Sequence, residues 1–139
     1  MKILLDTNIV MDVIEKREPS CKDAVALLKA VSAMEAECYF SASSAKDVFY
    51  LVKRHTGSLE KAKQAIVSIS KFAIFCDTTK QDVQNALLSG MADFEDAILV
   101  SSAERESMDF VVTRNKKDFT NPMVKVITPA EFLKIYSND

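Results

Sequence analysis

The chain has 139 residues, 48% of them hydrophobic, with 18 basic and 20 acidic side chains and a net charge of −2. That length suits a single domain spanning 1–139 with a proper core, and the hydrophobic share excludes a disordered chain. The charge balance excludes a sequence-independent nucleic-acid coat, which needs a basic surplus, but not an enzyme that meets nucleic acid through bound metal ions.

Ile3-Leu4-Leu5 is a short apolar run ending at Asp6. It is too short for the apolar region of a secretory signal. Ile9 to Lys16 reads as helix. Pro19 suits the first turn of a second helix, where Ala24, Leu27, Leu28 and Val31 recur at three-and-four spacing. Glu37 to Ser41, with Cys-Tyr-Phe at its centre, reads as a second strand. A helix from about Ser44 carries Val48, Leu51 and Val52 on one face and ends near Thr56-Gly57, where Gly supplies a left-handed cap.

Ser58-Leu59-Glu60 opens the next helix, with Ala62, Ala65, Ile66 and Ile69 apolar. Phe72 to Cys76 is a third apolar run. Thr79 to Leu88 is helical and stops at Ser89-Gly90. Asp93 starts a helix that runs through Ile98-Leu99-Val100 to about Glu106. Phe110 to Thr113 and Val124 to Thr128 are further strands, and Pro129 opens a terminal helix. Strands separated by helices imply an α/β domain with a parallel sheet covered on both faces.

No stretch approaches the roughly 18 apolar residues of a membrane span, so no membrane association is expected. Cys21, Cys38 and Cys76 are widely spaced and lack a zinc pattern. A cytoplasmic protein with reduced, buried thiols is expected.

In open parallel sheets ligands bind beyond the carboxyl ends of the strands. Four acids fall there: Asp6 after the first strand, Asp47 in the first turn of the helix after the second, Asp96 near the start of its helix, and Asp118 after the Val111-Val112 strand. Singly, each has a plain structural use. Asp6 or Asn8 can cap a helix, Ser44 to Asp47 and Asp93 to Asp96 resemble capping boxes, and Asp118 suits a turn. Jointly, four converging carboxylates repel one another, and a divalent cation relieves that repulsion. Oxygen donors without His or Cys favour Mg²⁺ or Mn²⁺. Such an ion activates water and clamps phosphate, which suggests phosphodiester hydrolysis.

These segments resemble the PIN-domain family. Asp6-Thr7-Asn8 is similar to its first motif, Ser41 to Leu51 to its second, Asp96-Ala97-Ile98 with Ala103 to its third, and Phe110 to Phe119 to its fourth. Pro129 to Leu133 resembles its usual ending. The resemblance covers nearly the whole chain. It implies a parallel sheet of about five strands sandwiched by helices, and an endoribonuclease preferring single-stranded RNA and dependent on Mg²⁺ or Mn²⁺. It further implies a VapC-like toxin that forms a homodimer and has a cognate antitoxin protein. Asp6, Asp96 and Asp118 match the family's metal-holding acids. Asp47 stands where the family usually has Glu, one methylene longer. Asp93 can serve as cap or as auxiliary ligand, and Thr113 and Asn115 can support the acids by hydrogen bonding.

Arg114, Lys116 and Lys117 beside Asp118 are candidate contacts for RNA phosphates, or else charges on a solvated loop. The single histidine, His55, is read as a cation near a helix end. A nuclease acting on DNA or structured RNA fits the same acids. So, with less support, does a PIN-fold RNA- or protein-binding module without activity. An aspartyl phosphatase would want a second acid at the position of Asn8.

Overall fold

The strand at the centre of the protein, β1 (Lys2–Leu5), pairs on both sides, which is why its apolar run is unbroken. The computed structural model describes residues 1–120 and 122–136. After β1 come α1 (Thr7–Ile14), α2 (Ser20–Ala33), β2 (Glu37–Ser41), α3 (Ala42–Thr56), α4 (Leu59–Phe72) and β3 (Ile74–Cys76). Then follow α5 (Lys80–Leu88), α6 (Phe94–Arg105), β4 (Phe110–Val112), a single 3-10 turn at Lys116–Asp118, β5 (Lys125–Ile127) and α7 (Pro129–Tyr136).

All strand pairings are parallel, in a five-stranded sheet ordered β3-β2-β1-β4-β5. The pleat sends alternate residues to opposite faces. Ile3, Leu5, Cys38, Phe40, Phe110, Val112 and Ile127 join one buried cluster with residues of α1, α2, α3, α4 and Phe132 of α7. Leu4, Val111 and Val126 join the other, with Leu99, Val100 and Ala103 of α6. The sheet is therefore sandwiched. The chain leaves β1 toward β2 and β3, then crosses back to β4 on the other side of β1. That reversal leaves a crevice beyond the carboxyl ends of β1 and β4.

Local signals set most boundaries. Gly57 adopts φ 67° as the left-handed cap of α3, its N–H bonding the Lys53 carbonyl. Ser58 caps α4, and Thr79 and Asp82 form a reciprocal capping box on α5. Several starts differ from the sequence reading: α2 begins at Ser20 with Pro19 as its N-cap, and β3 begins at Ile74 because Phe72 still belongs to α4. Helix α1 begins at Thr7 rather than Ile9 because Asp6 caps it, accepting from the Thr7 N–H at 2.7 Å. Helix α3 begins at Ala42, so Ser44 lies inside it and Asp47 lies in its second turn. The hydroxyl of Ser41 is engaged with Ser43 and Thr78 instead of capping.

Among the described residues no helix is long and apolar enough to cross a membrane. All three cysteines are free thiols, with Cys38 and Cys76 buried.

Candidate active site

The crevice is built first around β1 and β4. Asp6 follows β1 directly, and its Oδ2 accepts the Thr113 hydroxyl at 2.8 Å. Thr113 is fully buried. Its Oγ1 also accepts from the Asn8 side-chain amide at 3.2 Å and from the Asn115 backbone N–H at 3.1 Å. One hydroxyl thus joins the end of β1, the first turn of α1 and the segment after β4. Asn115 contributes through its backbone, since its side chain makes no cap bond.

Asn8 does not cap α1. Its Oδ1 accepts the Arg114 N–H at 3.3 Å. The Arg114 guanidinium reaches back to α1, where Nε and Nη2 meet the two oxygens of Asp12 at 2.6 and 3.3 Å. Asp12 is fully buried, whereas the Arg114 side chain is 37% exposed. A buried carboxylate needs such a partner. Sequence reasoning missed Asp12. The available signal was an acid inside the apolar stretch Ile9-Val10-Met11-Asp12-Val13-Ile14.

The second wall of the crevice is the start of α6. Asp93 is its N-cap, accepting from the Asp96 N–H at 2.9 Å. Burial raises the Asp96 carboxyl, and the charges of Asp6, Asp93, Asp118 and Glu95 raise it further, to about 7. Burial also raises Asp6, with Asp93 adding to it, against the lowering hydrogen bonds from Thr113 and Thr7. Four acids expected from the sequence, Asp6, Asp93, Asp96 and Asp118, therefore stand within each other's field. Asp118 sits exposed at the end of the 3-10 turn.

Asp47 is placed differently. It is the foremost charge on Glu95, whose carboxyl is raised by burial and then by Asp47, Asp93 and Asp6. Glu95 was not singled out in the sequence, because next to Asp96 it reads as one more acid in a helix's first turn. Asp6, Asp47 and Glu95 line one cavity with Lys46 and Phe94. Asp93, Lys117 and Asp118 line a neighbouring depression.

Of the cations after β4, Arg114 is paired with Asp12, and Lys116 with both oxygens of Glu131 at 3.1 and 3.0 Å. Lys117 forms no ion pair among the described residues. His55 lies in the last turn of α3, its Nδ1 2.7 Å from Glu15 Oε2, so its partner is none of these acids.

The donor set is oxygen only, which suits a hard divalent cation rather than zinc. As placed, no three His, Cys, Asp or Glu side chains among the described residues stand close enough to form a finished metal cage. The fit to such an ion rests on the donor chemistry and on the mutual repulsion that a positive charge would relieve.

Comparison with known proteins agrees with this architecture. A family model described as "PIN domain" matches residues 2–117. The chain is 24% identical over 136 residues to "Ribonuclease VapC1" of Aquifex aeolicus (strain VF5), covering 94% of this chain and 92% of that protein. A toxin–antitoxin complex from Klebsiella pneumoniae superimposes with a TM-score of 0.69 at 22% identity, covering 91% of this chain and 97% of that one. VapBC2 of Rickettsia felis bound to a promoter DNA fragment superimposes with a TM-score of 0.68 at 16% identity, covering 92% and 98%.

Proposed function

The chain belongs to the PIN domain family, and from that premise we propose that it is an Mg²⁺- or Mn²⁺-dependent endoribonuclease that hydrolyses phosphodiester bonds in single-stranded RNA. The observation that carries this reading is the gathering of Asp6, Asp93, Asp96, Asp118 and Glu95 at the carboxyl edge of the sheet, where burial and then the neighbouring acids raise the Asp96 carboxyl. Acids gathered at such a cost to their ionisation mark a functional site. The similarity to a protein named a ribonuclease supports the same chemistry.

Asp6, Asp96 and Asp118 are the residues to hold the ion, with Asp93 able to join them and Asp47 and Glu95 on the cavity side. When bound, the ion supplies a water of lowered pKa and a counter-charge to the phosphate. The protein's own groups prepare the place. Thr113 donates to one oxygen of Asp6 and the Thr7 N–H donates to the other, which fixes the carboxylate plane while leaving lone pairs on both oxygens. Asp96, raised to about 7 by burial and by its acidic neighbours, would lose its remaining proton to a bound cation. Asp118 is carried by the turn that Asn115 and Thr113 anchor. Lys117, beside Asp118, is the cation best placed for an RNA phosphate, with Lys116 and the exposed edge of Arg114 next to it.

Of the similar solved structures, one is a toxin–antitoxin complex from Klebsiella pneumoniae and another is VapBC2 of Rickettsia felis bound to promoter DNA. They support a toxin held by a cognate antitoxin protein, and the family resemblance adds a homodimer in the cytoplasm. A second reading, a PIN-fold binding module without activity, draws on Asp47, which is shorter than the family's usual Glu.

The test is incubation of purified protein with single-stranded RNA in Mn²⁺ or Mg²⁺, with chelator and Asp96→Asn as controls, beside calorimetric titration with Mn²⁺. Cleavage lost in both controls is the expected result. Absence of both cleavage and Mn²⁺ binding would favour the module without activity.

A further inference from the structure

Beside Asp6 a cavity of about 240 Å³ opens between α3 and the start of α6. Its lining mixes two kinds of group, with Asp47 of α3 and Glu95 of α6 joining Asp6 as acids, and Phe94 and Ile98 of α6 supplying apolar surface. Phe94 is the first residue of α6 and is 45% exposed, so its ring adds little to the core. Lys46 is the only cation among the described residues lining the cavity.

The three acids repel a phosphate from the cavity's interior, whereas a neutral planar ring meets no such barrier. An exposed aromatic face next to a backbone-binding site is the usual platform for an unstacked base. The volume lies below the roughly 300–1,000 Å³ of pockets that hold drug-sized ligands, so it suits one ring rather than a length of chain. The start of α3 is held in place, because Ser43 bonds Ser41 at 2.8 Å and Thr78 at 2.9 Å. The Ser44 hydroxyl, which lines the same cavity, makes no hydrogen bond to another described residue and is free to meet a base edge.

We propose that this cavity is a nucleobase subsite for single-stranded RNA, in which Phe94 stacks on one base and Lys46 contacts the adjoining phosphate. The proposal rests on the nuclease reading above and adds to it the residue that selects the base. Phe94 sits two positions before Asp96, so the selected base neighbours the phosphate presented to the acids.

The test uses fluorescence anisotropy with a labelled short single-stranded RNA of mixed sequence, and with an abasic ribose-phosphate oligomer of the same length. Both are bound to the full chain carrying Asp96→Asn, which prevents cleavage. Adding Phe94→Ala is expected to weaken RNA binding about tenfold, the scale of one lost base–aromatic stack. It should leave the abasic oligomer unchanged, and Phe94→Trp should retain RNA binding. Lys46→Ala should lower the salt dependence of both by about one charge. RNA bound equally well with and without Phe94, or an equal loss on both oligomers, overturns the subsite alone. A folded parent that binds no RNA overturns the nuclease reading, and the subsite falls with it.

Discussion

The Thr113 hydroxyl donates to Oδ2 of Asp6 at 2.8 Å, joining two residues that stand 107 apart in the chain. It fastens the carboxyl end of β4 to that of β1, at the one place in the sheet where the chain reverses its direction of travel. The same oxygen accepts from Asn8 and from the Asn115 N–H.

Thr113→Val keeps the shape and removes the hub. Buried groups left without a partner cost about 1–3 kcal/mol, so urea unfolding should shift by that amount. RNA cleavage should fall on the order of 10–100-fold, as when the support of a metal ligand is lost. Thr113→Ser, which keeps the hydroxyl, should retain most of both. Unchanged cleavage in Thr113→Val would show that Asp6 needs no orienting bond.

Asp96 makes stability depend on pH in an unusual direction. Its carboxyl titrates near 3.8 in the unfolded chain and at about 7 in the folded one. Between those values the native state keeps a proton that the unfolded chain has lost, so stability declines as pH rises through this window. In chelator, Asp96→Asn should therefore melt higher than the parent at about pH 8, and near the parent at about pH 4, by calorimetry. Binding of Mg²⁺ or Mn²⁺ should release protons near neutral pH and weaken as the medium is acidified.

The pair of Asp12 and Arg114 is unequally buried, with side-chain exposures of 0% and 37%. Removing Arg114 strands a charge in the interior, whereas removing Asp12 leaves a guanidinium that can reach water. Arg114→Ala should cost about 3–5 kcal/mol in denaturant unfolding, and Asp12→Asn less. Arg114→Lys should not restore stability, because one ammonium cannot reproduce the Nε and Nη2 contacts. The salt dependence of RNA binding should drop more with Lys117→Ala than with Arg114→Ala. The opposite order would assign the phosphate contact to Arg114.

Asp82 locks α5 to α6, the helix that bears Asp93, Glu95 and Asp96. It is fully buried and accepts from Ser101 at 2.8 Å, Ser102 at 3.0 Å, the Thr79 N–H at 2.9 Å and Arg105 at 3.1 Å. Burial opposes its ionisation, but Arg105, Thr79 and the two serines outweigh burial and hold it at about 2. Its contribution is present above the unfolded value of 3.8 and disappears as pH falls toward 2, roughly 2 kcal/mol in all. Asp82→Asn should remove that acid-side decline and destabilise the protein at neutral pH. An acid-unfolding profile unchanged by the substitution would assign the decline to other carboxylates.

The helices and strands were legible because each carries its pattern locally. Ile3-Leu4-Leu5 and Val111-Val112 are unbroken apolar runs, as strands covered on both faces must be, and Gly57, Ser58 and Thr79 mark their helix ends by backbone chemistry. The parallel sheet followed from strands alternating with helices, and the edge that bears the acids followed from where Asp6, Asp96 and Asp118 stand relative to those strands. Two helix starts were misplaced by two residues because Asp6 and Asn8, or Ser41 and Ser44, are equally good caps on paper.

The sequence by itself determined which elements form, in what order, and that acids follow the strands, since periodicity and capping act over a few residues. Only the tertiary structure decided which of those acids face one another. The crossover that sets β4 beside β1 places Thr113 on Asp6 and Arg114 on Asp12, and the approach of α6 to α3 sets Glu95 rather than Asp96 opposite Asp47. Such pairings depend on sheet order and helix packing across the whole chain, and no local pattern of residues encodes them.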